Sequence, residues 1–173
     1  MSKTLTHIMT VFKVAKIIAK LVFIFSIIGG AGCLISLVTL PLVENLELIQ
    51  SFVGEEIEFP TAYSSCCSGF IVCVGEAIFA FFAERYFANV VKTGTPFTLE
   101  GSKECFRLGL TSIIISAAAS LVAGLVIAVI TSLTELTPDF DVEATFSIST
   151  GLFLLFLSLI FKHGAELNGS VGE

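Results

Sequence analysis

A four-helix transmembrane bundle, all-α with both termini cytoplasmic, is the fold this sequence predicts, and three observations predict it. The 173-residue chain is 55% hydrophobic, only 14% charged and has a mean hydropathy of +0.97, whereas a soluble domain is about 45–50% apolar and about 25% charged. Four long apolar runs carry the excess. All nine Lys and Arg fall on one side of those runs, while the connecting segments on the other side carry acids and no base. A chain this rich in Leu, Ile, Val and Phe is not disordered. With 9 Lys+Arg against 15 Asp+Glu and a pI near 4.9, direct nucleic-acid binding through a basic surface is excluded as well.

The runs follow in order. Residues 21–43 are uncharged and broken only by Pro41 near the end, and about 20 residues suffice to cross some 30 Å of hydrocarbon. Residues 63–83 form the second span and contain one acid, Glu76. Residues 108–133 carry no charge, so this third span is long enough to cross with tilt. The fourth, Phe146–Phe161, is the shortest, and Ala144 and Thr145 extend it to 144–161. Backbone polar groups must be satisfied within lipid, which makes each span a helix. None has the alternating pattern of a barrel strand. The whole chain therefore reads as a single four-span domain.

The charges set the orientation. Lys3, Lys13, Lys16 and Lys20 precede the first span; Arg85, Lys92, Lys103 and Arg107 lie in the inner loop, 84–107; Lys162 follows the last span. The outer loops, 44–62 and 134–143, carry nine acids (Glu44, Glu47, Glu55, Glu56, Glu58, Glu135, Asp139, Asp141 and Glu143) and no base. By the positive-inside rule both termini and the inner loop face the cytoplasm. The acids could attract cations, but they are also what that bias leaves behind, and the second reading is preferred. Residues 1–20 read as an amphipathic basic helix in the headgroup layer that turns inward at the first span, serving chiefly as a topogenic anchor. Gly30-Ala31-Gly32-Cys33 resembles a lipoprotein box only loosely, and apolar sequence continues past it, so an uncleaved helix is expected.

The inner loop is the most distinctive stretch. Helix two should run on through Lys92; Thr93-Gly94-Thr95-Pro96 then forces a turn, and Thr98 or Ser102 caps the next helix. The string Phe87-x-Asn89-x-x-Lys92-x-Gly94-x-Pro96-Phe97-Thr98-x-Glu100, followed by Phe106-Arg107-Leu108-Gly109, resembles the signature of a bacterial membrane family catalogued as domain of unknown function 2975. The tail Ile160-Phe161-Lys162-His163-Gly164-Ala165-Glu166-Leu167 is similar to that family's closing motif. The resemblance covers nearly the whole chain, although the end, Asn168–Glu173, departs from the short acidic stretch usual there. It implies a bacterial inner-membrane protein, often encoded near a small helix-turn-helix regulator, with no established activity. Phe87 to Gly94 after span two also echoes Phe161 to Gly164 after span four, which suggests two related hairpins.

Few residues carry chemistry. Glu76 lies eight residues inside Glu84, about 12 Å deep at the helical rise. A carboxylate there is either a proton or cation site or is held by a Ser, Thr or carbonyl of a neighbouring helix. Ser112, Ser116, Ser120 and Gly124 recur every four residues; with Gly29, Gly30, Gly32, Cys33 and Ser36 on span one, and Gly69, Cys73 and Ala77 on span two, they read as close-packing faces. The five cysteines include no C-x-x-C, and they read as small buried hydrophobes rather than metal ligands. His163 beside Lys162 reads as a solvated interfacial residue before it reads as a switch. No nucleophile, metal or cofactor constellation can be assembled, so neither an enzyme nor a bound cofactor is expected.

Two functions fit. The first is a regulatory or interaction protein acting through its cytoplasmic loop (Asn89, Lys92, Gly94, Pro96, Phe97, Arg107) and C-terminal motif (Phe161, Lys162, His163, Gly164), with the helix-turn-helix regulator as candidate partner. The second is a small proton- or cation-coupled transporter or channel using Glu76. The one-sided basic bias makes any homo-oligomer parallel.

Overall fold

The computed structural model describes residues 3–40, 59–134 and 148–170. They form four helices: α1 (Lys3–Thr39), α2 (Phe59–Thr93), α3 (Leu99–Thr134) and α4 (Ile148–Ser170). No strand occurs among the described residues. Each helix is long and apolar enough to cross a membrane. The chain is a multi-pass four-helix membrane protein.

Successive helices pack antiparallel, α1 on α2, α2 on α3 and α3 on α4. Ser26 meets Glu76 and Phe12 meets Tyr86 across the first pair, Arg85 meets Glu104 across the second, and Ser102 meets Ser158 across the third. The start of α1, the α2–α3 turn and the end of α4 consequently share one end. Every described Lys and Arg lies toward that end, here called the basic end. The acidic segments 44–58 and 135–143 lie outside the described residues.

The four helices converge at the basic end. A buried cluster there contains Ala19 of α1, Ala83, Tyr86 and Val90 of α2, and Cys105 and Leu108 of α3. Leu154, Leu157 and Phe161 of α4 pack against it, as do Phe12 and Phe87. Phe87 from the end of α2 and Phe161 from the end of α4 thus reach the same cluster. Away from it the apolar surface is open. Phe25 of α1, Leu121 of α3 and Phe156 of α4 are all more than half exposed, as expected of faces that meet lipid tails rather than water.

Three features differ from what hydropathy alone predicts. First, α1 is helical without interruption through residue 20, so the N-terminal segment continues the span and does not form a separate helix that turns inward. At about 1.5 Å per residue α1, α2 and α3 each exceed 50 Å, well beyond about 30 Å of hydrocarbon. Second, the non-helical part of the inner loop shrinks to residues 94–98. Third, α4 is shifted. Bounding spans three and four at one plane would set Leu108 opposite Phe161. Instead Gly109 lies against Gly151, Cys105 against Leu154 and Ser102 against Ser158. The physical reason is the glycine pair: there the two backbones approach so closely that a Cβ on Gly109 would stand 2.8 Å from the Gly151 carbonyl oxygen. Leu108 is therefore level with about Leu152, which moves α4 some nine residues, roughly 13 Å, toward the basic end.

The small-residue faces divide in the same way. Gly29 and Gly30 abut Cys73, and Gly69 abuts Cys33, closing the α1–α2 seam. Ser112 and Ser116 are buried. Ser120 is exposed, and Gly32 and Gly124 face open space, so the packing expected of these three is not made among the described residues.

Candidate functional site

The α2–α3 turn is built residue by residue from its sequence. Gly94 takes φ +75°, the left-handed conformation that ends a helix, and its N–H still bonds the Val90 carbonyl at 3.0 Å. The Thr93 hydroxyl lies 2.9 Å from the Thr95 carbonyl and 3.0 Å from that of Asn89, and so ties the last turn of α2 to the loop. Pro96 cannot donate, but its carbonyl accepts the Thr98 N–H at 3.0 Å. Thr98 is the N-cap of α3: its Oγ1 accepts the Gly101 N–H at 2.9 Å. Ser102, the other capping candidate, is buried and donates to the Ser158 carbonyl of α4 at 2.8 Å. Gly101 stands where a Cβ would come within 3.0 Å of the Pro96 carbonyl oxygen, which explains a glycine at the third helical position.

This rigid turn presents Phe97 to α4. The ring lies over Gly164, where a Cβ would sit 2.6 Å from the Phe97 Cδ1, and meets Phe161 edge-on with centroids 5.6 Å apart. Phe97 itself remains 41% exposed. Phe97 of the loop motif and Phe161 of the C-terminal motif, 64 residues apart in the chain (161 − 97), therefore join the two motifs in one surface. Lys92 and His163 are exposed beside it. Lys162 reaches Glu166, one turn on, at 4.0 Å, an exposed pair of little energetic weight.

Asn89 and Arg107 have other surroundings. Asn89 is half-buried, and its Nδ2 has no hydrogen-bond partner. Arg107 is exposed and borders a small cavity with Phe82, Arg85 and Glu104. Glu104 is the residue that sequence reasoning missed. Its side chain is only 11% exposed, Arg85 stands 3.5 Å from Oε1, and Oε2 is buried without a partner. In sequence it is one acid among the charges of the inner loop, four residues before the uncharged run that begins at Leu108, and nothing local marks it as covered.

Glu76 is half-buried in the α1–α2 seam and accepts a hydrogen bond from the buried Ser26 hydroxyl at 3.1 Å. The helix-to-helix hydrogen bond is the arrangement the structure supports for this acid. All five cysteines are free thiols; Cys105 is buried and its thiol lies 3.4 Å from the Leu154 carbonyl. Among the described residues no three His, Cys, Asp or Glu side chains converge into a metal-holding group.

No protein-family model matches the chain, and no curated protein or solved structure does either.

Proposed function

We propose that this chain is a regulatory or interaction protein of a bacterial cytoplasmic membrane, with its basic end in the cytoplasm and a protein partner docked on the surface joined by Phe97. One observation carries the reading: Phe97 seated on Gly164 and Phe161 couples the α2–α3 turn to the end of α4. A contact at either motif would thereby be felt at the other. The positive-inside rule supplies the orientation. The resemblance to domain of unknown function 2975 supplies the partner class, a cytoplasmic helix-turn-helix regulator. Transport through Glu76 is the weaker reading, because that carboxylate is engaged by Ser26 in a seam closed by glycine and cysteine contacts.

Site-specific photocrosslinking in cells tests this. A photoreactive side chain in place of exposed Lys92 or His163 should capture a cytoplasmic protein, and Phe97→Ala should abolish the capture while membrane levels hold. The same probe at Phe153, on the exposed apolar face of α4, should capture none. Equal capture at all three positions, or none at Lys92 and His163, would overturn the reading. A C-terminal fluorescent-protein fusion that stays dark, with an active alkaline-phosphatase fusion at the same position, would overturn the orientation.

A further inference from the structure

The shift of α4 toward the basic end creates a feature that neither helix has alone. Lys103 and Arg107 lie four residues apart on one face of α3, in a stretch that hydropathy assigns to the inner loop. The shift sets the largely apolar stretch Leu154 to Leu159 of α4, with Ser158 within it, alongside them. A groove with a volume of about 460 Å³ runs between the two helices. Three cations line it, Lys103 and Arg107 from α3 and Lys162 from α4, together with the apolar side chains of Phe106, Leu110 and Leu159. These apolar residues are 47%, 42% and 62% exposed, so none of the described residues covers them fully.

Among the described residues no acid lines the groove. Glu104, on the neighbouring face of α3, is paired with Arg85, and Glu166 reaches only Lys162, at 4.0 Å and in the open. Neither Lys103 nor Arg107 has an ion-pair partner among the described residues. Two cations without an ion-pair partner and a third held only by a weak, exposed pair, over an apolar floor at a helix–helix cleft, are the complement of an amphiphile with one anionic head and a hydrocarbon tail. The floor continues along α3 to Ile114, which is 57% exposed, so a tail has an apolar path away from the charged end. Long Lys and Arg stems can cover such a floor while their charged heads reach the headgroup level, and basic pockets between transmembrane helices suit anionic headgroups.

We propose that this groove binds an anionic phospholipid from the leaflet at the basic end, its phosphodiester held by Lys103, Arg107 and Lys162 and an acyl chain laid along Phe106, Leu110 and Leu159. The site does not depend on a protein partner and is separate from the Phe97–Gly164 contact.

The chain contains no tryptophan, so Leu159→Trp in the full-length protein gives a single reporter in the groove. In vesicles mixing phosphatidylglycerol and phosphatidylcholine, one or the other brominated, quenching of this reporter measures which lipid sits there. Brominated phosphatidylglycerol should be preferred, and each Lys→Gln or Arg→Gln change at the three cations should reduce the preference by up to about fivefold at low salt. Ile17→Trp, 60% exposed on α1 near Lys13, Lys16 and Lys20 and outside the α3–α4 groove, is the control. Helical circular dichroism of each variant confirms folding, which exposed Lys and Arg changes should not disturb. Equal quenching by the two lipids would mean only an unselective lipid belt and would overturn the proposal. Equal preference at Leu159→Trp and Ile17→Trp would reduce it to general attraction by the basic end. Absence of quenching at Leu159→Trp would assign the groove to a protein segment instead.

Discussion

Replacing Gly109 by alanine tests the helix crossing on which the shifted register rests. The new Cβ would stand 2.8 Å from the Gly151 oxygen, 3.0 Å from the Leu155 nitrogen and 3.1 Å from the Leu154 Cβ, where ordinary contact begins at 3.4 Å. The neighbours are backbone or the first atom of a side chain, so no flexible tip can swing aside. Restoring contact distance requires α3 and α4 to part by about 0.6 Å, the difference between 3.4 and 2.8 Å. That parting stretches Ser102 Oγ to Ser158 O from 2.8 Å to about 3.4 Å, past the useful range of an O–H···O bond. Overpacking costs about 1–3 kcal/mol and a lost neutral hydrogen bond about 1 kcal/mol, against a helix-propensity gain for alanine of at most about 1 kcal/mol. Gly124→Ala on the same helix meets nothing within 4 Å and keeps only the gain. The two variants should therefore differ by about 2 kcal/mol or more, close to a 30-fold difference in the unfolding equilibrium. Reversible unfolding in mixed detergent micelles, followed by helical circular dichroism, measures it. Maleimide labelling of Cys105, in a background lacking the other four cysteines, reports the α3–α4 opening directly, since that thiol is 1% exposed beside the crossing. Equal stability of the two variants, or unchanged protection of Cys105 in Gly109→Ala, would refute the crossing.

Two further substitutions test the turn and the intramembrane acid. Thr98→Val keeps the shape but removes the acceptor for the Gly101 N–H; it should cost about 1 kcal/mol, with Thr98→Ser close to neutral, and a loss equal for both would deny Thr98 its capping role. A double-mutant cycle of Ser26→Ala with Glu76→Ala should give a coupling of about 0.6 kcal/mol, reaching at most about 1.7 kcal/mol for a bond between membrane helices. Zero coupling in the same unfolding assay would show that the 3.1 Å contact does not hold α1 to α2.

The element count, the antiparallel order and the turn at Gly94 were legible because each rests on local signals. An uncharged run of about 20 residues, a glycine before a proline and a threonine ahead of an apolar run need no knowledge of the partner helix. What was not legible depends on register. Hydropathy marks where a helix stops being apolar, not which residue faces which, so it set Phe161 level with Leu108. Gly109 belongs to a row of small buried residues, Ser102, Cys105, Gly109, Ser112 and Ser116, spaced by threes and fours, but that row does not say which residue of α4 it meets. By contrast the more regular row Ser112, Ser116, Ser120 and Gly124 is only half used, because an antiparallel pair of straight helices touches over a limited length. Glu104 was hidden for a related reason: an acid in a loop-like stretch looks solvated until α2 is known to cover it.

The displaced register also explains why two distant motifs meet. With Ser102 level with Ser158, the end of α4 projects past the α2–α3 turn, and Gly164 comes under Phe97. Were Phe161 level with Leu108 instead, α4 would sit about 13 Å deeper, and the residue beside Phe97 would lie beyond Ser170. The Phe97–Phe161 stack is geometrically impossible in that arrangement. The glycine crossing within the apolar region and the aromatic contact at the basic end are thus two consequences of one placement of α4. Any change that slides or parts the helices at Gly109 must loosen Phe97 as well. The third consequence is the amphiphilic groove, since the same displacement brings Lys103 and Arg107 alongside Leu159. Loop, tail and groove therefore stand or fall with a contact between two residues that have no side chain.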